Sequence, residues 1–209
     1  IMLKFNVTHQ ESYSRGELLL RSFLGWLYIA IPHLLGLMFY GIWIYIATFL
    51  AWWIILFTGK TPEFYYNAIV GYNKWSLRVM ARLYNLSDGY PSFGPDGADD
   101  KTEFHIDLIH VGRGQLLLRS FFGWLYVGIP HGICLYVRFI GTMVLMFLAW
   151  WVVLFTGKYP ENWHRFNVGT FRWATRVSLY LMWLSKDYPP FKGAPDEMDE
   201  ADKPLDQVA

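Results

Sequence analysis

Residues 18–57 read LLLRSFLGWLYIAIPHLLGLMFYGIWIYIATFLAWWIILF, forty positions with a single charge, Arg21, close to the start. A membrane-spanning helix needs about 20 apolar residues to cross about 30 Å of hydrocarbon. Forty are therefore enough for two back-to-back spans. They also suit one long span after a short surface helix, with a break at Pro32. Residues 116–155, LLLRSFFGWLYVGIPHGICLYVRFIGTMVLMFLAWWVVLF, repeat the pattern, with Arg119 near the start, Arg138 in the middle and Pro130 in the place of Pro32.

The two stretches belong to a larger duplication. Shifted by 98 positions, residues 15–93 align with 113–191 without a gap, and about half of the 79 columns are identical. RGELLLRSF faces RGQLLLRSF, LFTGKTPE faces LFTGKYPE, and YPSF faces YPPF. A fixed period of this kind is the mark of a repeated structural unit. Ahead of each copy stands a short alternating segment, residues 3–9 and 103–109, whose period of two predicts a half-buried strand. Residues 94–102 are rich in Gly, Pro and Asp and read as a linker. Residues 192–209 hold six carboxylates and few apolar side chains, the composition of a disordered acidic tail.

Composition limits the function classes. The chain is 54% hydrophobic and 20% aromatic, with 11 Trp, 14 Tyr and 16 Phe. Soluble domains are far poorer in aromatics. A formal net charge of +1 gives no reason to expect a polyanionic partner, and no nucleic-acid partner is expected. The one cysteine, Cys134, lies inside an apolar run and has no internal partner for a disulfide.

The third element of each repeat, residues 62–86 and 160–184, reads as a helix carrying Lys74, Arg78 and Arg82, or Arg172 and Arg176. Each cation at mid-bilayer would cost roughly 2.5–3.5 kcal/mol. No carboxylate lies in an apolar run to pair with them. An amphipathic helix lying at the membrane border avoids that cost. Parity then favours two spans per repeat, with a turn around residues 39–42 and 137–140. Nearly all 18 Lys and Arg then share the side of the termini, which the positive-inside rule makes cytoplasmic. The expected fold is an all-α integral membrane protein, a tandem repeat of helical hairpin plus amphipathic interfacial helix, with a short strand before each copy.

The motifs IPH, FTGKYPENWHRFNVGTFRWATRVSLYLMWLSKDYPPF and their first-repeat counterparts resemble the bacterial family called domain of unknown function 4389. The resemblance covers both repeats. It implies a multi-pass protein of the bacterial inner membrane and supplies no activity. Repeat one departs from the pattern at Asn73, Lys74 and the Pro-Ser of residues 91–92.

Two constellations are candidate sites. Lys74/Arg78 and Arg172/Arg176 are each four apart on one helix face, beside Trp75 and Trp173. They could bind lipid phosphates or simply orient the helix. His33 and His131 occupy equivalent positions after Pro. They could approach each other and ligate a metal or haem, although no second ligand stands at helical spacing. Glu63 and Glu161 read as helix-start carboxylates, and Asp88 and Asp187 as partners for Arg82, Arg176 or Lys186. No nucleophile–base pair, metal motif or phosphate loop is present, so no enzyme activity and no cofactor are expected. The sequence points to a structural or accessory subunit of a membrane complex, with the bilayer, other membrane subunits or a second copy as partners. Its alternative is a lipid-binding protein.

Overall fold

The computed structural model describes residues 3–195. The acidic tail lies outside the described residues from position 196 on. Each repeat runs strand, long helix, shorter helix. The first has β1 (Leu3–Val7), α1 (Arg15–Gly25), a π turn (Trp26–Ala30), α2 (Ile31–Thr58) and α3 (Glu63–Leu83). The second has β2 (Thr102–Ile106), α4 (Arg113–Gly123), a π turn (Trp124–Gly128), α5 (Ile129–Thr156) and α6 (Glu161–Leu181).

The hairpin expected within residues 18–57 and 116–155 does not form. Arg15–Thr58 and Arg113–Thr156 are each one unbroken helical run of 44 residues, about 66 Å at 1.5 Å per residue. The residues expected to turn, 39–42 and 137–140, are mid-helix. They read Phe-Tyr-Gly-Ile and Val-Arg-Phe-Ile, with Arg138 engaged by Thr170 of α6, so little is left to satisfy backbone groups freed by a reversal in an apolar environment, and the helix continues. The prolines are absorbed instead of breaking the run. Pro32 and Pro130 lack an amide proton, and their rings press on the carbonyl four residues back. A single wider turn just before each one makes the room. There the Ile31 and Ile129 amides bond the carbonyls of Trp26 and Trp124, five residues away.

Ends follow local chemistry. Ser14 caps α1 by accepting from the Glu17 amide. Gly59 and Gly157 close α2 and α5 in the left-handed region at φ 73° and 72°. Glu63 and Glu161 open α3 and α6 behind a proline, as expected. Both shorter helices end in a Schellman turn, with Leu86 and Leu184 amides bonding the carbonyls of Ala81 and Leu179. The left-handed residue is Asn85 in the first repeat and Trp183 in the second, at φ 55° and 60°.

The repeats interlock. Trp150 Nε1 donates to Ser22 Oγ (2.7 Å), and Trp52 Nε1 donates to Ser120 Oγ (3.0 Å). Arg15 Nη2 reaches the Phe155 carbonyl (3.0 Å), and Arg113 Nη2 reaches that of Phe57 (2.6 Å). The start of each long helix thus meets the end of the other, so the two run antiparallel. The expected strands also find each other: β1 and β2 form one antiparallel pair with Phe5 opposite Phe104. Leu3, Phe5, Val7, Phe104 and Ile106 are buried against the helices, while Glu103 and His105 are exposed. α3 touches both α2 and β2, and α6 both α5 and β1. The order of layers is long helices, short helices, sheet.

Candidate functional site

The largest chemical feature is the outer face of the long helices. Phe23, Trp26, Leu34, Phe39, Tyr45, Phe49 and Phe57 are more than half exposed, and Phe121, Trp124, Ile133, Tyr136, Phe147 and Phe155 match them in the second repeat. Between Leu19 and Phe57, and between Leu117 and Phe155, no Asp, Glu, Lys or Arg is exposed. A water-facing surface rarely carries a contiguous apolar patch of this extent. Both runs are long and apolar enough to cross a membrane. Trp53 and Trp151 also lie on this face, 44% exposed. Trp52 and Trp150 turn inward to the serine bonds given above.

Behind this face each repeat holds a histidine cluster. Trp75 Nε1 donates to His33 Nδ1 (2.8 Å), and His33 Nε2 meets Tyr90 Oη (3.1 Å). The indole takes the acceptor nitrogen, so the proton of the neutral ring lies on Nε2. In the second repeat Trp173 Nε1 donates to His131 Nδ1 (2.9 Å), and Phe191 stacks on the imidazole at 3.8 Å and 12°. Gly36 packs against the cluster in the first repeat, and its counterpart in the second is the exposed Cys134. A Cβ on Gly36 would lie 2.4 Å from the Trp75 ring. Correspondingly, Trp75 and Phe93 are 4.6 Å apart while Trp173 and Phe191 have opened to 5.9 Å. Both histidines are fully buried, each in its own repeat's aromatic cluster. The expected approach of His33 to His131 does not occur, because each ring is tied to its own shorter helix. Among the described residues no group of three or more His, Cys, Asp or Glu is arranged for a metal ion.

The basic residues face inward too. Arg78, Arg82, Arg172 and Arg176 are 1–4% exposed. Arg78 donates to the carbonyls of Gly94, Pro95 and Gly97. Arg176 donates to those of Lys192 and Ala194, and Arg172 to Phe5 and Gly193. These guanidiniums hold the segments that follow each YPxF end against the short helices. The headgroup role expected for Arg78, Arg172, Arg176, Trp75 and Trp173 does not fit this placement. Of that set only Lys74 is exposed. Arg138, mid-way along α5, points to α6, with its guanidinium over the Phe166 ring and Nε bonded to Thr170 Oγ1. Asp88 pairs with Arg21 (2.7 Å) rather than Arg82, whose partner is Asp99 at 2.7 and 2.8 Å. Burial alone would raise the Asp99 carboxyl. The Arg82 guanidinium, the Lys101 amide and the Thr102 hydroxyl outweigh it and hold the group below its usual value.

A polar joint between repeats had no signal in the sequence. His164 lies in the first turn of α6 with Nε2 on the Leu86 carbonyl (3.0 Å). Tyr13 donates to the same carbonyl, and His9 packs on the His164 ring at 5.1 Å. Burial lowers His164 to about 4, with the Leu86 bond opposing, and pushes Tyr13 up to about 12.

Fold and surface define a class: a tandem, mostly helical protein with two long apolar helices and a two-stranded sheet. The chain belongs to the family described as domain of unknown function (DUF4389), whose model matches residues 19–94 and 118–192, one copy per repeat. No curated protein and no solved structure matches it.

Proposed function

We propose that this chain is a non-enzymatic membrane protein that serves as a structural or accessory subunit. The observation that carries this reading is the pair of uncharged, aromatic-rich outer faces, which bury their apolar area favourably only in lipid or against other membrane helices. The buried arginines and histidines support it. Arg78, Arg82, Arg172 and Arg176 bond groups of their own fold, and His33 and His131 accept from Trp75 and Trp173. Extraction from native membranes into polymer-bounded lipid discs, followed by native mass spectrometry, is the test. The expected result is a defined partner or a self-assembly of fixed stoichiometry. A bare monomer with lipid alone would refute the subunit role.

One observation favours the lipid-binding alternative. An apolar groove of about 470 Å³ opens beside the outer face, lined by Leu83, Asn85, Met143, Met146, Trp150 and Trp151. Two methionines make its wall adaptable, as an acyl chain requires. At the position of Asn85 the second repeat carries Trp183, buried against Tyr65. Met146→Trp should then abolish co-purification of lipid. Undiminished lipid in the variant would remove this reading.

A further inference from the structure

We infer that both long helices lie within one leaflet, parallel to the membrane plane, and that the sheet faces water on that same side. The inference rests on the membrane reading above and adds its geometry.

The paired bonds Trp150–Ser22 and Trp52–Ser120, and Arg15–Phe155 and Arg113–Phe57, relate the repeats by an approximate half-turn. Two helices related by a half-turn run antiparallel only when the axis is perpendicular to both. The same half-turn exchanges β1 and β2, so the axis leaves the protein through the sheet at Phe5 and Phe104.

Only two placements respect this axis and the layers. If the axis lies in the membrane plane, the long helices cross the bilayer in opposite directions. The sheet is then at mid-depth, and its outer side carries Lys4 paired with Glu103, and His105 beside Asp107, with both of the latter more than half exposed. Ionisable groups at that depth face a protein interior or a water-filled cavity rather than lipid. A helix of about 66 Å would also have to fit a core of about 30 Å. If the axis lies along the membrane normal, both conflicts vanish. The apolar faces sink into the acyl region as an interfacial helix does, by about 5–10 Å. α3 and α6 lie above them, and the sheet and its charges meet water. Helix length then needs no match to bilayer thickness. Lys60 and Lys158, at opposite ends of the helix pair, are both exposed and lie on the same side of the membrane.

The test uses the full chain with Cys134→Ser and single additions Lys60→Cys, Lys158→Cys and Glu103→Cys, in spheroplasts and inside-out vesicles of an expression host. Flotation with membranes is checked first. An impermeant maleimide is expected to label all three positions in one preparation and none in the other, at least tenfold apart. Spin labels replacing Phe23, Phe39 and Phe57 are expected to report one common depth. Labelling of Lys60→Cys and Lys158→Cys from opposite sides, or a depth profile deepest at Phe39, would overturn the in-plane placement and leave the membrane reading standing. A detergent-free soluble oligomer, its apolar faces covered by a second copy, would overturn both.

Discussion

Arg21 and Asp88 meet at 2.7 Å with side chains only 2% and 9% exposed, tying the first turns of α1 to the segment after α3. Asp88 also accepts the Ser14 amide, and Asn85 Oδ1 accepts from Arg21 Nε. Removing one partner of a buried ion pair costs about 3–5 kcal/mol, because the other charge stays buried. Asp88→Ala should therefore lower the thermal midpoint in detergent markedly. Glu17→Gln should change it little, since Glu17 is 41% exposed and such pairs contribute about 0–1 kcal/mol. In the second repeat Lys186 stands where Asp88 would, and Arg119 instead bonds the carbonyls of Tyr180, Ser185 and Lys186. Lys186→Ala should accordingly be mild.

The Arg82–Asp99 pair gives stability a definite pH dependence. Asp99 titrates below its usual value when folded. Its contribution is complete above the unfolded value of about 3.9 and is lost as pH falls through the folded one. Arg82→Met leaves burial unopposed by that guanidinium, so the Asp99 carboxyl rises. The variant should lose about 3–5 kcal/mol at neutral pH and unfold at higher pH in acid titrations followed by tryptophan fluorescence.

His164 acts over a higher window. Its folded value of about 4 lies below the ordinary 6.5. The unfolded chain therefore binds the extra proton first. Stability is full above pH 6.5 and declines as pH falls toward 4, by about 3 kcal/mol at most. His164→Gln keeps a donor for the Leu86 carbonyl and removes the titration. Its stability should be nearly flat between pH 6.5 and 4, and an unchanged slope would contradict the assignment.

Gly59 and Gly157 end the long helices at φ 73° and 72°. A Cβ in that conformation costs about 1–2 kcal/mol per residue. Gly59→Ala and Gly157→Ala should each lower stability by about that amount, and the double variant by roughly the sum, since the two lie at opposite ends of the helix pair.

Local signals were legible in the sequence and non-local ones were not. Leu18–Phe57 announced apolar helix, though not its single unbroken course, and Glu63 the start of the next helix, because each depends on neighbours a few residues away. The short helices run Glu63–Leu83 and Glu161–Leu181, and the family resemblance held over both repeats. The scarcity of polar residues at 39–42 argues against folding back, but it is a negative signal and charge parity points the other way. The burial of Arg78 and Arg176 could not be seen, because their partners are backbone carbonyls 16 to 19 positions on, and carbonyls leave no trace in residue type. The pairing of Phe5 with Phe104 joins segments 99 positions apart, and period-two alternation names a strand without naming its partner.

Immersion of the faces of Leu19–Phe57 and Leu117–Phe155 in lipid underlies both proposals. Alkaline carbonate extraction of membranes from cells expressing the full chain, followed by flotation, tests it directly. The protein should float with lipid and leave it only in detergent. Release into the carbonate supernatant as a monodisperse, detergent-free species would contradict it.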